Sequence, residues 1–176
     1  MSVIKNMTLT ELCAYISHHL HQNDIPVVLV GGACVSIYSD NKYQTRDLDF
    51  VQRYDTKRKQ LAQTLAALGF TERNRYFVHP DTEYFLEFPS GPISVGDQAI
   101  HQYAEVNTEF GNLILLTATD ICKDRLAAFY HWKDELSLQQ AINIAAENNV
   151  NMTEIKNWSK KEGMIDKFMR FETGLN

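Results

Sequence analysis

The spacing of apolar residues at the start of the chain predicts a helix followed by a buried strand. The segment Thr8–Glu11 has the form of a capping box. After it begins a pattern in which apolar side chains recur at intervals of three and four residues. The continuous apolar run Val27–Val30 is rich in β-branched residues and is typical of a buried strand. Gly31 and Gly32 follow directly and lead into a short helical stretch over residues 33–38.

The next predicted strand carries its acidic side chains on one face. After a polar loop over residues 39–45, Asp47 and Asp49 alternate with Leu48 and Phe50. Because successive side chains of a strand point to opposite faces, the two carboxylates share a face, with Cα atoms about 7 Å apart. The apolar pair is expected to face the core.

The rest of the pattern predicts more strands and then helices alone. Asp55 or Thr56 can cap a helix that Gly69 ends. Strands are predicted at residues 76–79, 84–88, around 106 and at 113–116. Helices are predicted at residues 118–131, 135–148, 152–162 and 164–176. We therefore expect an α+β fold in which a lobe of residues 1–116 carries a helical segment of residues 117–176, the two counting as one or two domains.

A third acidic residue, Glu87, lies inside an apolar strand pattern, where an unpaired charge is costly. Asp47 and Asp49 repel each other unless a cation lies between them, and hard ions such as Mg²⁺ prefer carboxylate oxygens. A solvent-facing strand edge explains the aspartate pair alone more simply. Three acids on neighbouring strands, however, together favour a metal site for phosphoryl transfer.

The glycine pair at the predicted strand–helix turn is a candidate phosphate site. The first N–H groups of a helix lack partners and its dipole favours anions, and glycine lets a phosphate approach without a Cβ in the way. Glycine is also the usual residue at such turns for structural reasons, so Gly31 and Gly32 alone are a weak signal. Their position just before the acidic strand strengthens it.

Composition excludes several other classes of protein. Hydrophobic residues make up 44% and charged residues 22%, which indicates a packed core. No apolar run approaches the ~20 residues that cross a bilayer, and no secretory signal is evident, so we expect a cytoplasmic protein without membrane contact. Cys13, Cys34 and Cys122 are widely spaced, which predicts buried thiols. The net charge of −5 argues against a surface that attracts nucleic acid as a whole.

The glycine turn and the acidic strand together resemble a known signature. Val28–Gly32, followed by Thr45–Phe50, resembles the motif of the DNA polymerase β-type nucleotidyltransferase superfamily. Residues 123–128 with Asp134 are similar to later motifs of its abortive-infection toxin-type branch, and the chain looks like small bacterial nucleotidyltransferase-like proteins related to that branch. The resemblance implies a nucleotidyltransferase-type mixed β-sheet flanked by helices, with a C-terminal helical segment.

The resemblance also implies a role for each residue of the site. Asp47 and Asp49 would hold two Mg²⁺ ions, or Mn²⁺ in their place. Glu87 would ligate the second ion or act as general base for the attacking hydroxyl. Gly31 and Gly32 would hold the β- and γ-phosphates. The serine that is common in the family after the first glycine is Gly32 here, so one hydroxyl contact to phosphate is missing.

Two residues near the C-terminal helices complete the expected site. Lys123 would neutralise charge on the leaving pyrophosphate, and Asp134 would lie close to the nucleotide. They share a face if one helix runs through both. Asp134 fits the N-cap of the next helix equally well. Arg46 is expected at the surface, and Arg125 is expected to be structural.

Two functions remain open at the level of sequence. The first is an enzyme that moves a nucleoside monophosphate from a metal–nucleoside triphosphate, such as Mg²⁺–ATP, to an acceptor hydroxyl of a protein, a tRNA end or a small molecule. The alternative is a catalytically weak or inactive module that binds a nucleotide or a partner. The complete set of acids favours catalysis. A role in a toxin–antitoxin pair, with a cognate partner protein, is compatible with either.

Overall fold

The computed structural model describes residues 3–176, in which helices surround a mixed sheet. After a short 3-10 helix at Val3–Asn6, the helices are α1 (Leu9–Gln22), α2 (Gly31–Tyr38), α3 (Arg58–Ala66), α4 (Ala118–Trp132), α5 (Glu135–Glu147), α6 (Met152–Lys161) and α7 (Ile165–Gly174). The strands are β1 (Val27–Val30), β2 (Asp47–Gln52), β3 (Thr71–Arg73), β4 (Tyr76–Val78), β5 (Phe85–Glu87), β6 (Ser94–Val95), β7 (Gln98–Ala99), β8 (Ala104–Thr108) and β9 (Gly111–Leu115). This order confirms the predicted α+β class.

The central sheet places the acidic strand between two partners. Its strand order is β3-β4-β5-β2-β1-β9-β8, while β6 and β7 form a separate hairpin. β2 runs antiparallel to β1 and parallel to β5. Leu48 and Phe50 are fully buried, whereas Asp47 and Asp49 are only partly covered. The predicted alternation of β2 is therefore confirmed.

Helix α1 covers one part of the sheet and begins as the sequence predicts. The Thr8 hydroxyl accepts a hydrogen bond from the Glu11 N–H, and the Glu11 carboxylate accepts one from the Thr8 N–H at 2.8 Å. This reciprocal cap satisfies two N–H groups that the helix leaves without partners. The buried side chains of Leu12, Ile16 and Leu20 lie on this helix, which packs on β1, β8 and β9.

Helices α4 to α7 form the C-terminal part of the molecule at the predicted positions. The Thr117 hydroxyl caps α4 by accepting from the Asp120 N–H, and the Asn151 side chain caps α6. α4 packs on α5 and α6 and also on α2. The helical segment thus contacts the region that carries the glycine turn, and its separation into a second domain at residue 117 stays a prediction.

Two local predictions are wrong, and some short strands were not predicted. Neither Asp55 nor Thr56 caps α3, because the chain stays irregular through Lys57, which takes the N-cap position without a side-chain hydrogen bond. α2 begins two residues early, at Gly31 itself. Strand β3 and the β6–β7 hairpin were not predicted, since short strands with exposed residues lack an alternating apolar pattern.

The prediction of buried thiols agrees with the structure. Cys13, Cys34 and Cys122 are buried and unlinked, and burial raises the pKa of Cys122 to about 12. Within residues 3–176, every helix falls short of the length and apolar character that a membrane crossing needs.

Candidate active site

Pairing of β2 with β5 brings the three predicted acids together. Asp49 lies opposite Glu87 in this parallel pair, and Asp47 lies opposite Phe85. One carboxylate oxygen from each of Asp47, Asp49 and Glu87 lies within 4.8 Å of the other two. We call these residues the acidic triad. Oxygens at this spacing can surround one hard divalent cation or bridge two.

Electrostatics in the triad favour a bound cation. Burial, followed by the charges of Asp47 and Glu87, raises the pKa of Asp49 to about 6. Burial and Glu87 also raise the pKa of Asp47, and nearby Arg75 lowers it in part. Atom Oδ1 of Asp47 is buried without a hydrogen-bond partner. An unpartnered, buried carboxylate oxygen beside two further carboxylates fits a metal ligand. A bound cation would offset both the cost of burying the oxygen without a partner and the repulsion between the carboxylates.

Gly31 lies directly against the triad. Its φ of +68° belongs to the left-handed region, and a Cβ at this position would lie 2.8 Å from Oδ2 of Asp49. Both the backbone conformation and the close approach therefore require glycine. α2 starts at Gly31, and its N-cap Val30 offers no side-chain hydrogen bond. The first N–H groups of α2 thus start beside the carboxylates without a side-chain cap.

Gly32 is covered by the loop that precedes β2. A Cβ on Gly32 would lie 3.3 Å from the Tyr43 ring and 3.4 Å from the Thr45 hydroxyl. That hydroxyl accepts a hydrogen bond from the Asp47 N–H at 3.2 Å, and the Ser36 hydroxyl donates to the Tyr43 carbonyl at 2.6 Å. These contacts hold the start of β2 against the start of α2.

Arg75 is a residue of the site that the sequence did not indicate. It follows Asn74, which has a φ of +56° in the turn between β3 and β4. Its Nε lies 3.2 Å from Oε1 of Glu87, and its charge lowers the pKa of Asp47. Only the pairing of β4 with β5 brings this turn to Glu87. No signal in the sequence could have found the contact.

Arg125 lies on helix α4 next to Asp124, and the charges of these two residues act on Asp49 with opposite signs. Arg125 lowers the pKa of Asp49 through its charge, against the larger effect of burial, and forms an ion pair with Asp124. The structural role that the sequence predicts for Arg125 stays a prediction.

Lys123 makes different contacts from those expected. Its side chain is 0% exposed, and its Nζ lies 2.8 Å from Asp120 and 2.7 Å from Glu154 of α6. Burial alone lowers the pKa of Lys123, but hydrogen bonds to Asp120 and Glu154 outweigh burial, so its pKa is raised. The ammonium group also donates to Gln98 at 3.1 Å, so a phosphate contact would require it to give up at least one of its three partners. The nucleotide role of Lys123 stays a prediction.

Asp134 occupies the N-cap of α5, one of its two expected positions. Its carboxylate accepts hydrogen bonds from the N–H groups of Leu136 and Ser137 and from the Ser137 hydroxyl, which lowers its pKa. α4 ends at Trp132, and Lys133 has a φ of +56°. No single helix therefore joins Lys123 to Asp134, and proximity of Asp134 to a nucleotide stays a prediction.

Comparison with known proteins identifies the fold. No family model and no curated protein matches the sequence. An antigenic nucleotidyltransferase-like protein from Paracoccidioides brasiliensis matches 77% of this chain over 74% of its own, with a TM-score of 0.61 and 16% identity. The antibiotic-resistance factor ANT(2'')-Ia covers 95% of this chain and 94% of its own, at a TM-score of 0.47 and 14% identity.

The first of these likenesses confirms the predicted nucleotidyltransferase-type fold. At 16% identity it concerns the fold alone, because one fold can carry unrelated activities. The relation to the abortive-infection toxin-type branch stays a prediction. Function has to be argued from the acidic triad and its surroundings.

Proposed function

We propose that the protein transfers a nucleoside monophosphate from a Mg²⁺–nucleoside triphosphate to an acceptor hydroxyl and releases pyrophosphate. The observation that carries the proposal is the convergence of three carboxylates beside the uncapped start of α2. Cation ligands and anion-binding N–H groups side by side suit a metal-bound triphosphate. A nucleotidyltransferase-type fold is consistent with this chemistry.

In this proposal the acidic triad holds the metal. Asp47 has an oxygen that is buried without a hydrogen-bond partner. One carboxylate oxygen from each of Asp47, Asp49 and Glu87 lies within 4.8 Å of the other two. When bound, Mg²⁺ or Mn²⁺ would neutralise the triphosphate charge and lower the pKa of the acceptor hydroxyl. Gly31 leaves room for a metal-bound phosphate beside Asp49, because it places backbone and no Cβ there.

The proposed reaction uses Glu87 and the start of α2. The acceptor oxygen forms a bond to the α-phosphorus, and the bond from that phosphorus to the bridging oxygen of the β-phosphate breaks. Glu87, which is 22% exposed, would accept the hydroxyl proton directly or would be a ligand of the second ion. The N–H groups of Gly31 and Gly32 stabilise the negative charge that develops on the leaving pyrophosphate.

Cations on α4 would complete phosphate binding. Arg125 already acts electrostatically on Asp49 and carries a planar guanidinium suited to phosphate oxygens. Lys123 would take part only after exchanging at least one of Asp120, Glu154 and Gln98 for phosphate.

Transfer of label from the α-phosphate tests the proposal. The protein is incubated with each α-labelled nucleoside triphosphate, Mg²⁺ and cell lysate, and the labelled species identifies the acceptor class. We expect Asp47→Ala and Asp49→Ala to abolish transfer while the circular-dichroism spectrum stays unchanged. Glu83→Ala is the matched control, because Glu83 is an exposed acid paired with Arg46 rather than with the triad. Transfer at the wild-type rate by either aspartate variant would exclude this mechanism.

The acceptor class and biological role extend the proposal. The acceptor would be a protein side chain, a tRNA end or a small molecule, and the protein would act as one half of a toxin–antitoxin pair. Co-expression with the product of the adjacent gene tests that role: relief of growth inhibition supports it, and equal growth with and without that product contradicts it. If nucleotide binds but no label moves, the protein is a binding module with the same fold.

A further inference from the structure

The guanidinium group of Arg75 occupies the edge of the acidic triad. Its Nε lies 3.2 Å from Oε1 of Glu87, and its charge reaches Asp47 as well. Within residues 3–176, this is the only salt bridge that a member of the triad makes. Arg75 therefore supplies part of the positive charge that three converging carboxylates require.

The backbone around Arg75 is fixed, whereas its side chain is open to solvent. The Arg75 carbonyl accepts a hydrogen bond from Arg58 at 3.0 Å, and Arg58 also pairs with Glu72 at 2.7 Å. The Arg75 side chain is 70% exposed and lies over the Tyr76 ring at 4.8 Å. The turn thus holds the residue beside the triad while the guanidinium can change partners at low cost.

A metal at the triad and the Arg75–Glu87 pair compete with each other. The carboxylate oxygens that would hold the cation include one of Glu87, so the ion and the guanidinium would be close neighbours of like charge. A metal that binds alone must therefore weaken or displace Arg75. A metal that arrives with a triphosphate brings an excess of negative charge, for which a planar guanidinium is a good partner.

We propose, on the basis of the function proposed above, that Arg75 is an internal counter-ion of the acidic triad that moves to the phosphates of the incoming nucleotide. Glu87 then gains the metal, and Arg75 exchanges one carboxylate for phosphate oxygens. Arg75 opposes binding of metal alone and supports binding of metal with nucleotide. Because linkage is reciprocal, the nucleotide raises metal affinity as much as the metal raises nucleotide affinity.

Titration calorimetry with MnCl₂ alone gives the first half of the test. The Arg75→Ala variant loses the competitor for Glu87, so we expect it to bind Mn²⁺ about two- to fivefold more tightly than wild type. Arg73→Ala is the matched control, because Arg73 is an exposed arginine on the same hairpin whose loss changes the net charge equally. Arg73→Ala should change Mn²⁺ affinity by less than about twofold.

The second half uses a non-transferable α,β-methylene nucleoside triphosphate with saturating Mn²⁺. Here Arg75→Ala should bind the analogue about tenfold more weakly, because a charge-assisted contact is lost. Arg75→Lys should recover part of this affinity, since it keeps the charge but not the fork of donors. The two effects have opposite signs, which separates this role from a structural one. Loss of a structural residue would weaken the binding of both Mn²⁺ and the analogue, or of neither.

The outcomes also separate this inference from the function on which it rests. If wild type binds Mn²⁺ at a site that Asp47→Asn removes, but Arg75→Ala binds both ligands as wild type does, the role of Arg75 is overturned and the metal site stands. If wild type binds no Mn²⁺ at such a site either alone or with the nucleotide analogue, the proposed function and the role of Arg75 are both overturned.

Discussion

Single side chains in the acidic triad set its electrostatic character. Asp49 combines partial burial with two carboxylate neighbours, and its pKa is raised to about 6. A cation near these oxygens is the simplest way to keep all three groups ionised at neutral pH. In the metal-free protein the ionised triad therefore lowers the free energy of unfolding, and this penalty depends on pH.

This penalty predicts an unusual pH dependence of stability in EDTA. The folded protein holds the Asp49 proton more tightly than the unfolded chain, whose aspartates titrate near pH ~4. Its free energy of unfolding should therefore fall as pH rises from about 4 to about 6, with an opposite sign to that of a salt-bridged acid. Thermal melts across this range should show a steeper fall for wild type than for Asp49→Asn. Parallel curves for the two proteins would contradict the raised pKa of Asp49 in the metal-free protein.

Gly31 offers a second test at the scale of one residue. Gly31→Ala places a side chain at a φ of +68° and a Cβ 2.8 Å from Asp49. Gly163→Ala is the matched control, because Gly163 has a φ of +70° but open space around its Cβ position. We expect the control to cost about 1 kcal/mol of unfolding free energy. Gly31→Ala should cost more and should also weaken Mn²⁺ binding, as calorimetry would show; equal costs and equal metal affinities would refute the close approach to Asp49.

At the scale of elements, α4 carries two cations, Lys123 and Arg125, that make different contacts. Lys123 joins α4 to α6 through Glu154 and to β7 through Gln98. Arg125 instead pairs with Asp124, and its charge lowers the pKa of Asp49. A motif read along the sequence cannot distinguish these two sides of a helix when the neighbouring elements are unknown.

Exchange of each cation separates the two roles. Lys123→Met leaves Asp120 and Glu154 without their partner and should cost about 2–3 kcal/mol of unfolding free energy, less than a fully buried pair because Glu154 is half-exposed. Arg125→Ala should cost under about 1 kcal/mol but weaken binding of the triphosphate analogue about tenfold. Denaturant melts and calorimetry measure both. If Lys123→Met is as stable as wild type but binds the triphosphate analogue weakly, Lys123 contacts phosphate and its proposed structural role is wrong.

Local signals explain which elements the sequence predicts well. The side chains of Thr8, Thr117 and Asn151 are the N-caps of α1, α4 and α6, which begin at the next residue in each case. β1 and β2 are evident because burial imposes a run or an alternation of apolar residues. β3, β6 and β7 have no such pattern, so the turn that carries Arg75 had no predicted position. Its contact with Glu87 depends on pairing of β4 with β5, which is a non-local property.

At the scale of the whole molecule, strand order creates the site. β2 and β5 are adjacent and parallel, although α3, β3 and β4 separate them along the chain. The residue types of the triad were predictable from the sequence, but the register that sets Asp49 opposite Glu87 was not. The same sheet puts the start of α2 beside β2, so the first N–H groups of that helix and the carboxylates of the triad meet at one place.

The most direct test of this account is the melting temperature of wild type and Asp47→Asn, each in EDTA and in Mg²⁺ with a nucleoside triphosphate. Asp47→Asn removes a charge with an unpartnered, buried oxygen at nearly constant shape. In EDTA we expect it to melt at the wild-type temperature or higher, by the equivalent of ~1 kcal/mol at most. Mg²⁺ with nucleotide should stabilise wild type and leave Asp47→Asn unchanged. A less stable Asp47→Asn protein that keeps the full nucleotide shift would contradict the metal site and the function proposed for it.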